Sequence, residues 1–202
     1  MTFNWSLRGI WNFLWNDNSL LSWIISLVIA FIIIKFIFFP ILSLIFGSLM
    51  PLVVVESGSM HHSGNFVSNY FGTSGSFNLW WNEKGAWYET HTNITKEIAF
   101  NWRLRGGLEI GDIVFIYGRG KYRVGDIIVF NGGQNHPIIH RIIEVRKIGN
   151  ETIYMTKGDN NEGQLVQELQ ISKSQILGKA IFKLPKLGWV KLGLVKFVIL
   201  IR

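Results

Sequence analysis

Apolar positions run almost unbroken from Leu20 to Phe39, LLSWIISLVIAFIIIKFIFF, with Lys35 the one charge among twenty residues. An α-helix needs about 20 such residues to cross a hydrocarbon core. The pattern predicts a transmembrane anchor over residues 19–40, with Pro40 ending or kinking the helix. Lys35 lies near enough to that end for its ammonium to reach the headgroups. Residues 1–18 carry Trp5, Trp11, Phe13 and Trp15 and read as an interfacial lead-in. A cleaved signal peptide is disfavoured, because no small-x-small site follows promptly and apolar character continues from Ile41 to Val55.

Beyond the anchor the period shortens. Pro51 to Glu56 is a β-branched run, and GDIVFIYG from Gly111 and GDIIVFNGG from Gly125 are near-repeats of turn followed by strand. HPIIHRIIEV and ETIYMTKG add two more strands. The expected fold is mainly β, an antiparallel sheet domain over residues 41–192. Residues 63–105 interrupt it with Phe66, Phe77, Trp80, Trp81, Trp87, Tyr88 and Trp102 among many Gly, Asn and Ser. That composition predicts a folded, irregular insertion, since disordered segments are poor in aromatics. Residues 193–202 form an apolar, basic tail. The stretch from Leu187 to Ile201 reads either as a second membrane contact or as a final strand, being too short to span.

Composition sharpens this picture at two points. The chain has no Cys, which removes disulfides, thiolate nucleophiles and Cys-ligated zinc together. The net charge of +7 is concentrated late: from Ile181 onward there are five basic residues and no acid. Because these are interleaved with Phe182, Leu184, Trp189 and Val195, they read as contacts to anionic lipid headgroups. Nucleic acid is not expected as a partner, as no recognised binding motif accompanies the charge.

The chemistry gathers in three settings. Ser57 and Ser59 lie in a Gly-containing turn after a strand, His140 in the strand IIHRII, and Asp159 in the turn KGDNN. Ser, His and Asp are the minimum set for acyl transfer: imidazole takes the serine proton, and a carboxylate holds the imidazole in its useful tautomer. A metal centre is disfavoured. His136 and His140 sit in a strand pattern, and His61-His62 come with no HExxH or Cys ligand.

At these settings the sequence resembles type I signal peptidases of the archaeal and endoplasmic-reticulum branch, where His replaces the Lys base of bacterial enzymes. Four blocks carry the resemblance in the family's order. They are Ser57-Gly58-Ser59-Met60 after the anchor, Gly125 to Phe130, Pro137 to Arg141, and Lys157 to Asn161. The likeness runs from about Leu20 to Leu192. It implies a membrane-anchored serine endopeptidase that removes signal peptides, without cofactor or metal, at the cell membrane with the catalytic domain on the extracytoplasmic side. Ser59 is then the nucleophile, His140 the general base, Asp159 the acid that orients His140, and Ser57 a secondary serine beside the oxyanion. Partners are signal-peptide-bearing preproteins and membrane lipid.

Two positions depart from the family pattern. A second Asp is usual six positions after Asp159, where this chain has Leu165; Glu162 and Glu168 are nearby but out of register. His62 stands where proline is common. The rival reading is a non-catalytic membrane subunit that binds secretory chains, its missing acid recording lost activity.

Overall fold

The computed structural model describes residues 6–134 and 136–193. These form two compact units, one up to Ile45 and one from Phe46. In the first, α1 (Leu7–Asn16) and α2 (Leu20–Ile33) are joined by a turn in which the Ser19 N–H donates to Asp17 at 2.8 Å. Ser19 caps α2, its hydroxyl accepting from the Ser22 N–H. A π-helical stretch, Ile34–Phe38, leads into α3 (Phe39–Phe46).

Helix therefore runs past Pro40 for a total of 27 residues, Leu20–Phe46, long and apolar enough to cross a membrane. Proline removes one amide donor and crowds the carbonyl of the preceding turn. The wider π-turn just before it gives that carbonyl room, so the helix neither ends nor breaks at Pro40.

The second unit is built on a seven-stranded antiparallel sheet. Its strands are β1 (Leu52–Val54), β2 (Ile113–Tyr117), β3 (Ile127–Phe130), β4 (Ile138–Ile148), β5 (Glu151–Lys157), β6 (Ile171–Ser172) and β7 (Ile176–Leu184), in the spatial order β1-β2-β7-β3-β4-β5-β6. Register shifts at Phe115/Ile116, Val129/Phe130 and Ile142/Glu144 bend it. The two GDI repeats form matching turns: Gly111 and Gly125 both have positive φ, and Asp112 and Asp126 each accept a backbone N–H three residues upstream.

Both faces of the sheet are covered, which is why β3 reads as four apolar residues in a row. Ile127 and Val129 join Val55, Met60 and Ile116 in one core, while Ile128 and Phe130 join Ile142, Tyr154 and Ile171 in another.

The insertion is helical: α4 (Phe66–Phe71), α5 (Ser74–His91) and α6 (Lys96–Phe100). Three of its Asn and Thr are N-caps. Asn65, Thr73 and Thr95 each accept the N–H three residues on, and Gly72 closes α4 in the left-handed region. Most of its aromatics are core, with Phe77, Trp80, Trp81, Tyr88 and Trp102 forming a third cluster against Ile143, while Phe66 and Phe71 are exposed.

After β7, residues 189–193 are helical, so at those positions the chain is not a strand. The rest of the tail, residues 194–202, lies outside the described residues, as do residues 1–5 of the lead-in. The late basic cluster is partly internal. Lys183 is buried and donates to the Gly107 carbonyl at 2.7 Å, and Lys186 and Lys191 pair with Glu109 and Glu56. Lys183 is thus no lipid contact, because its charge satisfies groups inside the fold.

Candidate active site

Strand β4 puts His140 and Arg141 on opposite sides of the sheet, as adjacent strand residues must be. The two sides carry different chemistry. On one, His140 Nε2 lies 2.9 Å from Ser59 Oγ, and His140 Nδ1 lies 2.5 Å from Glu168 Oε1. Glu168 is fully buried. It accepts from Thr156 Oγ1 at 3.0 Å through Oε1 and from the Leu165 N–H at 2.7 Å through Oε2. With these donors around it the carboxylate is fixed in place and aimed at the imidazole.

The serine turn is held from the neighbouring loop. Asn160 donates its N–H to the Ser59 carbonyl at 2.8 Å and its side-chain amide to the Gly58 carbonyl at 3.1 Å. Ser57 Oγ is 3.1 Å from Ser59 Oγ. Met60, the residue after the serine, is completely buried and anchors the turn in the sheet core.

Asp159, expected to orient His140, lies on the other side of β4. Its carboxylate takes Arg141 Nε at 2.9 Å, Arg141 Nη2 at 2.6 Å and His62 Nε2 at 2.9 Å. Arg141 is itself buried over the Trp102 ring and donates to the carbonyls of Arg103, Leu104 and Gly125. The physical reason for the exchange is local. Asp159 lies two residues past the end of β5 with its side chain beside Arg141, whereas the 3-10 turn Val166–Glu168 brings Glu168 to His140. A glutamate three residues beyond Leu165 thereby reaches the imidazole.

Burial alone would raise the Asp159 carboxyl, but the Arg141 guanidinium and the His62 hydrogen bond outweigh it and hold the group far below the usual carboxylate range. His62, stacked flat on Trp80 at 4.3 Å, is pulled below its ordinary value by burial despite Asp159. The histidines weighed as metal ligands are dispersed in their contacts: His61 pairs with Glu109, His62 with Asp159, and His136 is exposed.

Sequence reasoning gave the orienting role to Asp159 and left open whether Glu162 or Glu168 replaces the acid missing at Leu165. LVQE carries only half of a capping box, since Leu165 has no side-chain acceptor and the turn is marked only by Glu168 accepting the Leu165 N–H.

No protein-family model matches the chain. It is similar to curated proteins. Signal peptidase complex catalytic subunit SEC11 of Scheffersomyces stipitis is 30% identical over 118 residues, covering 54% of this chain and 70% of the relative. The protein of the same name from Komagataella phaffii is 30% identical over 131 residues, covering 58% and 74%. SEC11C of Canis lupus familiaris is 38% identical over 89 residues, covering 40% and 46%.

Proposed function

Because the chain belongs to the family of signal peptidase catalytic subunits, we propose that it is a membrane-anchored serine endopeptidase cleaving signal peptides with Ser59, His140 and Glu168. The observation that carries this reading is the unbroken hydrogen-bonded line from Ser59 Oγ through His140 to Glu168. In it Ser59 Oγ attacks the scissile carbonyl while His140 Nε2 takes its proton, and Glu168 stabilises the imidazolium that forms. The tetrahedral oxyanion is met by the Ser59 N–H and the Ser57 hydroxyl. Collapse expels the amine with the proton returned by His140, and water repeats the sequence to free the acyl group.

Asp159 belongs to the support rather than the proton path. Its pair with Arg141 fixes the strand that carries His140.

The substrate lies extended. Strand β1, an outer strand of the sheet, leads within a few residues to Ser57 and Ser59, so a preprotein segment added beside it passes the nucleophile. Alternate side chains then point into shallow pockets, favouring small residues. The apolar helix Leu20–Phe46 anchors the enzyme in the cell membrane as a single span, with the sheet domain on the extracytoplasmic side where preproteins emerge.

The test is cleavage of a preprotein at a small-x-small site by the detergent-purified chain. Wild type should cleave and Ser59→Ala should not. Substantial activity in Ser59→Ala rejects the serine mechanism.

A further inference from the structure

Lys157, at the end of β5, takes no part in the proton path, yet it is completely buried at the centre of the machinery. Its Nζ donates to the Gly158 carbonyl at 3.0 Å. The same ammonium stands over the rings of Tyr88 and Trp87, 4.9 and 5.1 Å from their centroids. Taking a cation out of water is costly, and two ring faces and one carbonyl return only part of that cost. Such a lysine is kept where its charge holds something in place.

What it holds is the turn against the reacting residues. Gly158 approaches His140 so closely that a Cβ there would lie 2.9 Å from Nε2. The next residue's N–H meets Met60 Sδ at 3.4 Å, and its carbonyl accepts from Trp80 Nε1 at 3.0 Å. Asn160 then grips the carbonyls of Ser59 and Gly58. Trp80, Trp87 and Tyr88 lie at i, i+7 and i+8 of α5 and so share one helical face. The insertion thus presents a rigid aromatic wall, with Lys157 joining it to a turn that touches both Ser59 and His140.

We infer that Lys157 is a positioning residue for the cleavage reaction, its ammonium clamped between the Gly158 carbonyl and the Tyr88 and Trp87 rings so that the turn from Gly158 to Asn160 keeps Ser59 and His140 in register. The inference rests on the Ser59–His140 reaction proposed above. The clamp needs a cation: a neutral chain of equal length would fill the space but bind neither the carbonyl nor the rings.

This gives the clamp a pH limit. Burial pulls the Lys157 ammonium down to about 8; Asp159 opposes this, Lys84 adds to it, and Glu168 and Glu162 oppose it more weakly. Tyr88 faces it from α5, and Arg141 is its cross-strand neighbour on β4. Above about pH 8 the amine is neutral and the clamp releases. Between there and the ordinary lysine value, about 10.4, the unfolded chain binds the proton that the folded chain has lost. Stability from this site therefore rises with pH while activity falls, and a lysine with only a structural role cannot move the two in opposite directions.

The experiment uses the full chain in detergent with a cleavable preprotein, following kcat, KM and thermal melting from pH 7 to 10. Wild type should lose kcat above about pH 8 without a matching fall in melting temperature. Lys157→Met should lower kcat at pH 7 by roughly ten- to a hundredfold, the range expected for small misplacement of reacting groups, with KM little changed and no limb near pH 8. Lys157→Arg, which keeps the cation, should recover much of kcat and carry the limb beyond the measured range. If Lys157→Met does not fold, the half-buried Trp87→Leu takes its place and should lower kcat several-fold at pH 7. Wild-type kcat in either variant, or an alkaline limb that persists in Lys157→Met or Lys157→Arg, overturns the inference. Ser59→Ala runs in parallel: activity there overturns the proposed reaction itself, and a dead Ser59→Ala beside an unaffected Lys157→Met overturns only the role of Lys157.

Discussion

Glu168 accepts the Nδ1 proton of His140 at 2.5 Å from a position three residues beyond Leu165. Replacing the orienting carboxylate of a serine protease by its amide costs on the order of 10⁴ in rate, because the imidazole is held in the wrong tautomer. Glu168→Gln should fall by a factor of that order in kcat while melting near wild type, since the amide still fits the pocket. Steady-state kinetics with parallel melts check this, and a Glu168→Gln enzyme of near-normal rate would show that another group orients His140.

Asp159→Asn should fail in a different way. Removing the charge strands the Arg141 guanidinium in a site with no solvent access, a defect worth about 3–5 kcal/mol in buried pairs. A large drop in melting temperature is expected, with the loss of activity tracking the unfolded fraction. Because the folded Asp159 pKa is held down, its stabilisation is full above the unfolded carboxylate value, about 3.9, and is lost only as pH falls further toward the folded one. Acid scans should therefore show the full contribution of this pair still present at pH 5, with its loss only below about 3.9. A stable, folded Asp159→Asn with crippled kcat would return it to the proton path.

Ser59 and His140 should act as one unit. Ser59→Ala, His140→Ala and the double variant should reach a similar residual rate, because once either is gone the other has no role. Additive losses in the double variant would contradict the direct Oγ–Nε2 contact.

His62 makes the fold acid-sensitive. Burial keeps its imidazole neutral at pH values where the unfolded chain is already protonated, below about 6.5. The unfolded state then binds more protons, so stability falls as pH drops through that value. The melting temperature of wild type should decline between pH 7 and 5.5 more steeply than that of His62→Gln, which keeps a donor for Asp159 and loses the titration. Parallel slopes would reject the assignment.

The aromatic insertion should behave as core. Phe77→Ala removes a completely buried ring packed among Trp80, Trp81 and Phe100, and should destabilise by about 3–5 kcal/mol in chemical denaturation. Glu162→Gln, by contrast, breaks only a solvent-facing pair with Lys84 and should leave cleavage unchanged.

Hydrophobic period and turn chemistry alone determined the apolar helix, the GDI turns and the β-rich domain, and the resemblance to signal peptidases picked out the order of the Ser, His and Asp blocks, because each is written in consecutive residues. Even so, Pro40 misplaces the helix end when read by itself, since a π-turn upstream absorbs its missing donor. The Gly, Asn and Ser of the insertion look like loop because caps and loops use the same residues; the helices between them are held by aromatic packing that only the folded chain supplies. Which carboxylate meets His140 was also beyond the sequence. It turns on the side of β4 to which a given side chain emerges and on one short turn at Glu168, relations between segments that are separate in the chain and joined only in the fold. Lys157 follows the same rule: its neighbours Gly158 and Asp159 are legible in the motif, but the rings that make its charge useful come from α5, a different part of the chain, and only tertiary packing brings them over it.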